Sequence, residues 1–146
     1  MTDKIQKAKE LATREHEGQN RRGGEPYITH PEAVANMVSD LSETAVCLAW
    51  LHDVKEDSRK GFDFSMEFGK EIEEGTNLLA RKKDETYYDF IKRIVNSGNR
   101  DVMYVKLKDL THNMSTLEEG SMKDKYRFAF AMLWEAIENL PQVFEN

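Results

Sequence analysis

The stretch Leu51-His52-Asp53-Val54-Lys55-Glu56-Asp57 sets one imidazole and three carboxylates at the end of an apolar run. At helical spacing Glu56 lies four positions beyond His52 and three beyond Asp53, and Asp57 lies four beyond Asp53, so these groups share a face. Setting them beside a buried segment is costly, through desolvation and like-charge repulsion, unless a cation compensates them; a divalent metal is the economical one. The spacing also admits a plainer reading, a solvated helix end that happens to be acidic. In Val105-Lys106-Leu107-Lys108-Asp109-Leu110-Thr111-His112-Asn113-Met114, the residues Asp109, His112 and Asn113 stand at i, i+3 and i+4, with Lys106 one turn earlier. Spacing alone leaves open whether they line a site or form an exposed polar stripe opposite Val105, Leu107, Leu110 and Met114. His30, immediately before Pro31, is a third candidate, although a lone histidine at a helix start is more often a capping or packing residue.

The elements that must position these groups read as helices. A first helix is expected over residues 3–16, with Ile5, Ala8, Leu11 and Ala12 on one stripe and Gly18 as its stop. A polar loop follows to His30, and Pro31 suits the first turn of a helix carrying Ala33, Val34, Met37, Val38 and Leu41. Ser42 is an N-cap for a third helix through Asp57, central to the fold because Ala45 to Leu51 is apolar nearly all round. Further amphipathic stretches cover residues 64–80, with a bend at Gly69, then 85–97, 100–118 and 123–140. Gly98 and Gly120 read as C-terminal stops, and Pro141 bars continuation of the last helix. No stretch alternates with period two. The expected fold is all-α, a compact bundle of about seven helices forming a single domain over residues 1–146.

Composition narrows the function. A chain of 146 residues, 39% hydrophobic and 33% charged, is too apolar for disorder and too charged for a membrane bundle. The longest unbroken apolar run, Ala45 to Leu51, is about a third of a bilayer span, and the first residues carry no apolar leader. Cytoplasm is the expected location, with no membrane partner. Twenty-one basic residues against 27 acidic ones give a net charge of −6, which argues against nucleic acid as a partner. An anionic ligand would therefore need local cations or a metal. The single cysteine, Cys47, permits neither an internal disulfide nor a thiolate zinc site and is given no role.

Three extended words join these pieces. His16-x-Gly18-Gln19-x-Arg21-Arg22-x-Gly24-Glu25-Pro26-Tyr27-Ile28-Thr29-His30-Pro31 comes first, then Leu51-His52-Asp53-Val54-x-Glu56-Asp57-Ser58, then Val105-Lys106-Leu107-x-Asp109-x-x-His112-Asn113-Met114, with Phe68-Gly69 between the last two. In this order they resemble the HD-domain metal phosphohydrolases. Within these, they are similar to the hydrolase domain of the RelA/SpoT homologue family, especially its stand-alone small alarmone hydrolases, over roughly residues 5–135.

The resemblance implies an all-helical bundle and a metal, usually Mn²⁺, held by residues matching His30, His52, Asp53 and Asp109. Two imidazoles and two carboxylates suit that ion or another of the first row. The family's acidic pair matches Glu56 and Asp57, whose task would be to orient or deprotonate the attacking water and to help protonate the leaving oxygen. The implied reaction removes pyrophosphate from the 3′ position of guanosine tetra- or pentaphosphate, (p)ppGpp, giving GDP or GTP. Arg21 and Arg22 match a basic pair that stacks on the purine or pairs with a phosphate, and Asn113 an asparagine near the ribose. Tyr126 aligns with a tyrosine packed by the sugar or base, and Arg81 and Lys82 are candidates for the distal phosphates.

The sequence departs from the family wording at four positions. Lys55 replaces a small apolar or β-branched residue, where a lysine could reach solvent or add a cation at the substrate; Lys108, Thr111 and Ala80 are also unusual. No expected ligand is lost. The family's synthetase domain has no counterpart in the 146 residues, so hydrolysis without synthesis is expected. Competing readings are an HD phosphohydrolase for another nucleotide, such as the 2′-phosphate of NADPH or a nucleoside monophosphate, and a non-catalytic nucleotide-binding module. Oligomeric state is not legible.

Overall fold

Thr2, whose hydroxyl accepts from the Ile5 amide, opens α1 (Asp3–Glu15), which buries Ala8, Leu11 and Ala12. The computed structural model describes residues 1–57 and 62–141, with Asp57 described in its backbone alone. After α1 come α2 (Thr29–Met37), α3 (Glu43–Leu51), α4 (Val54–Asp57), α5 (Ser65–Phe68), α6 (Lys70–Leu79), α7 (Tyr87–Ser97), α8 (Arg100–Ser115) and α9 (Ser121–Glu138). There is no strand among the described residues, so the fold is all-α as the periodicity implied.

Among the described residues nine helices replace the expected seven or so because two expected helices are each divided. The first division falls between α3 and α4. His52 Nδ1 donates to the Ala49 carbonyl at 2.6 Å, the acceptor that a continuing α-helix would offer to the Asp53 amide. The sequence reading that set His52, Asp53, Glu56 and Asp57 on one unbroken helical face is corrected accordingly. The second division is at Gly69, whose φ of 92° is open to glycine and strained for other residues. Two boundaries also move. The second helix begins at Thr29 instead of near Pro31, which turns His30 inward, and α8 ends at Ser115, so Gly120 is the N-cap of α9 and not the stop of α8.

The core is organised around α3, which packs against α1, α2, α6 and α8 and buries Ala45, Cys47, Leu48, Ala49 and Leu51 completely. α6 comes close because Gly75 faces Leu48: a Cβ there would stand 2.5 Å from Leu48 Cδ2. Burial pushes the Cys47 thiol up to about 11, so it is an inert packing group.

Two ionic contacts hold the segments around the cleft. Lys55 is buried and reaches neither solvent nor a ligand position; its ammonium pairs with Glu73, donates to Asn77 Oδ1 at 2.8 Å and lies over the Phe64 ring. Glu73 also accepts from the Phe64 amide, so one carboxylate on α6 fastens both α4 and the approach to α5. Arg93 on α7 grips Glu85 with two hydrogen bonds, 2.7 Å to Oε2 and 2.9 Å to Oε1, and donates to the Ala80 carbonyl beyond the end of α6. That fork fixes the turn carrying Arg81 and the start of α7.

The Arg93 guanidinium holds the Glu85 carboxyl at about 2, against an ordinary 4.5. A depressed folded-state value gives stability that is present above the unfolded value and lost as pH falls toward the folded one. In thermal melts Glu85→Gln is expected to lower Tm by roughly a few degrees at neutral pH. The gap to the parent should close as pH falls from about 4.5 to about 2; a constant gap would contradict the assignment.

Candidate metal centre and its cleft

Three distant stretches bring their side chains to one point. His30 comes from the first turn of α2, His52 and Asp53 from the break between α3 and α4, and Asp109 from the middle of α8. His30 Nε2 stands 2.7 Å from Asp109 Oδ1 and 3.9 Å from Asp53 Oδ2. His52 Nε2 stands 3.0 Å from Asp53 Oδ2 and 3.3 Å from Asp109 Oδ1, yet meets hydrogen-bond geometry with neither. Ligand atoms of His30, His52 and Asp109 all lie within 4.8 Å of one another, and the three residues are buried.

The donor set fits a divalent cation. Burial by itself would lower the basicity of His52, but the Asp53 and Asp109 carboxylates reverse this and hold it well above the usual imidazole value. Burial works against both anions too, and the neighbouring imidazoles bring Asp53 down to about 2. Lys106, together with His30 and His52, holds Asp109 well below its ordinary value. The carboxylates thus demand positive charge, and among the described residues the His52 Nε2 has no hydrogen-bond partner. Because Nδ1 of His52 is committed to the Ala49 carbonyl, Nε2 is the atom left for an ion.

A second layer orients these groups. The Tyr27 hydroxyl donates to Asp53 Oδ2, and Lys106 Nζ and Asn113 Nδ2 donate to Asp109 at 2.8 and 3.2 Å. His30 Nδ1 meets His112 Nδ1 at 2.7 Å with the rings stacked. Burial and the nearby His30 keep His112 below its normal value, hence neutral and able to accept, while His30 Nε2 faces Asp109 at the centre. The α8 polar stripe is therefore not a solvated one: Asp109 is only 4% exposed.

The cluster lies in a cleft of two joined chambers. One, of about 310 Å³, is bounded on its outer side by Arg21, Arg22, Leu117 and Met122. The other, of about 220 Å³, holds Asp53, Glu56, Arg81, Lys106, Asp109 and Lys125. Tyr27, His30, Asn113 and Tyr126 line both. Arg21 is set by a tight loop in which its amide donates to the Glu25 carbonyl at 2.7 Å, and the Arg22 guanidinium rests on Met122 Sδ. Lys82 is exposed, lines neither chamber and donates its backbone amide to Glu85. Asp57 closes α4, but its side chain lies outside the described residues, as does Ser58.

Sequence reasoning did not assign roles to Tyr27, Lys106, His112, Tyr87 or Lys125, all of which border the cleft or the cluster. Tyr27 sits three residues before His30, and Lys106 and His112 flank Asp109 by three each, so a helical-neighbour rule would have found them. No local signal marks Tyr87 or Lys125, which arrive from α7 and α9.

The family model described as HD domain matches residues 8–133. The chain is 41% identical over 130 residues to the guanosine-3′,5′-bis(diphosphate) 3′-pyrophosphohydrolase of Haemophilus influenzae, covering 80% of this chain and 19% of that protein. It is 39% identical over 137 residues to the bifunctional (p)ppGpp synthase/hydrolase SpoT of Escherichia coli K12, covering 85% and 19%. It thus spans about a fifth of the length of these relatives. Among solved structures, a metazoan orthologue of SpoT that hydrolyses ppGpp and plays a role in starvation responses has the same fold. That match has a TM-score of 0.76 at 19% identity and covers 96% of this chain and 88% of the other.

Calorimetric titration with Mn²⁺ checks the layered arrangement. Asp109→Asn is expected to abolish measurable binding, and His112→Phe, which keeps a ring but loses the acceptor, to weaken it by about ten- to a hundredfold. Full affinity in the His112 variant would contradict the orienting role.

Proposed function

We propose, from the premise that this chain belongs to the HD-domain family, that it is a Mn²⁺-dependent hydrolase of (p)ppGpp, removing the 3′-pyrophosphate to leave GDP or GTP. The observation that carries this is the pair of chambers meeting at His30: one is suited to a purine, the other brings Arg81, Lys106 and Lys125 opposite the carboxylates of Asp53, Glu56 and Asp109, and the metal-ligand cluster lies at their junction. The names of the relatives support the choice of nucleotide. A small nucleotide substrate suits a cytoplasmic enzyme.

In this reading the guanine lies in the larger chamber, with Arg21 or Arg22 stacked on its face and Met122 and Leu117 beneath. Asn113 and Tyr126, which face both chambers, hold the ribose between them. The 3′-diphosphate enters the smaller chamber, where Arg81, Lys106 and Lys125 supply local positive charge in a chain of net charge −6. His30, His52, Asp53 and Asp109 would hold a divalent ion, which would lower the pKa of a bound water and polarise a phosphoryl oxygen.

Glu56, which borders the same chamber, takes a proton from the attacking water. The water oxygen bonds to the phosphorus carried by the 3′ oxygen, the bond between them breaks, and pyrophosphate leaves with the oxygen of the water. Asp57 is assigned to return a proton to the 3′ oxygen. Lys106 stays cationic, because Asp109 more than offsets the effect of burial and raises it above the usual lysine value.

Turnover of ppGpp, NADPH and nucleoside monophosphates should be compared with Mn²⁺ present. Pyrophosphate release from ppGpp, abolished by a chelator, with little reaction of the others is expected; no release from ppGpp overturns the assignment. Glu56→Gln should lower kcat by about 10²- to 10⁴-fold while Mn²⁺ binding survives. Undiminished turnover would remove Glu56 from the mechanism.

A further inference from the structure

Three buried side-chain polar atoms lack a hydrogen-bond partner among the described residues: His16 Nε2, His52 Nε2 and the hydroxyl of Tyr87. The metal centre accounts for His52. Tyr87 has no such explanation, and a buried hydroxyl is seldom left unpaired without a reason.

Its position suggests the reason. Tyr87 is the first residue of α7 and borders the smaller chamber, with its three cations and three carboxylates, as well as an apolar hollow beside Phe128 and Met132, but not the larger chamber. Lys125 Nζ lies 4.5 Å from its ring centroid and Arg81 Cζ 5.9 Å, while Lys106 borders the same chamber. Lys125 and Arg81 are long, exposed side chains able to shift as an anion enters. The ring itself is braced by Tyr126 and Phe90, at 5.8 and 6.0 Å between centroids. Burial pushes the hydroxyl up to about 12, so it stays a proton donor at neutral pH.

We infer that Tyr87 donates a hydrogen bond to the distal phosphate of a diphosphate group and so selects diphosphate over monophosphate. This rests on the reading above, in which the phosphorus under attack lies at the metal ligands. A single phosphate would take its place at an ion held by His30, Asp53 and Asp109, and a second phosphate is what remains for the Tyr87, Arg81 and Lys125 side chains that border the same chamber. A second phosphate extends toward Arg81 and Lys125, and the phenol adds one more directed donor to those that the two cations supply.

The probes are inorganic pyrophosphate and inorganic phosphate, titrated calorimetrically against the parent chain, Tyr87→Phe and Tyr88→Phe at one Mn²⁺ concentration. Tyr88 is an exposed neighbour on the same helix. Tyr87→Phe is expected to weaken pyrophosphate binding about tenfold and to change phosphate binding by less than about twofold. Its melting temperature should not fall, since the lost hydroxyl had no partner to lose. Tyr88→Phe should match the parent for both anions. Unchanged pyrophosphate affinity in Tyr87→Phe, or an equal loss for both anions, overturns the inference, as does a loss that tracks a lowered melting temperature. Neither probe is a nucleotide and nothing is turned over, so this result and the ppGpp assay fail independently.

Discussion

Two imidazoles and the Asp109 carboxylate are buried within a few ångströms of one another, with the partly exposed Asp53 carboxylate beside them, and the rest of the structure is arranged around that electrostatic demand. The imidazoles, and for Asp109 also Lys106, hold both carboxylates ionised against the cost of desolvation. The local structure gives way to this demand. α3 stops at Leu51 because His52 claims the Ala49 carbonyl, and that break delivers His52 and Asp53 together to the cluster. The early start of α2 does the same for His30.

Around that centre the cleft divides its tasks by polarity. The loop between α1 and α2 brings guanidinium groups to the larger chamber, whereas Arg81, Lys106 and Lys125 reach the smaller one from the α6–α7 turn, α8 and α9. The Arg93–Glu85 fork and the Lys55–Glu73 pair serve a different end. They fasten the turn bearing Arg81 and the short α4 bearing Glu56 onto the scaffold, so groups on short segments gain the rigidity of longer helices.

Much of this was legible in the sequence because the helices follow their apolar periodicity. Ser42 caps α3, Gly98 ends α7 in the left-handed region, and Gly69 bends the chain where it was expected to. The His30, His52-Asp53 and Asp109 words named residues that the fold brings to one point. What failed to show was tertiary. Periodicity extends a helix through His52 because it cannot see a side chain competing for a backbone carbonyl. Lys55 read as a group bound for solvent or substrate because its partners, Glu73 and Asn77, lie on another helix. Tyr87 carried no signal, since its meaning comes from a chamber assembled by several elements.

The central claim is that the buried cluster is a cation site. Anomalous X-ray diffraction from crystals grown with Mn²⁺ tests it most directly. The account predicts a single strong manganese peak within bonding distance of His30 Nε2, His52 Nε2, Asp53 Oδ2 and Asp109 Oδ1. A peak elsewhere in the cleft, or none while His52 Nε2 still faces the two carboxylates, would contradict it.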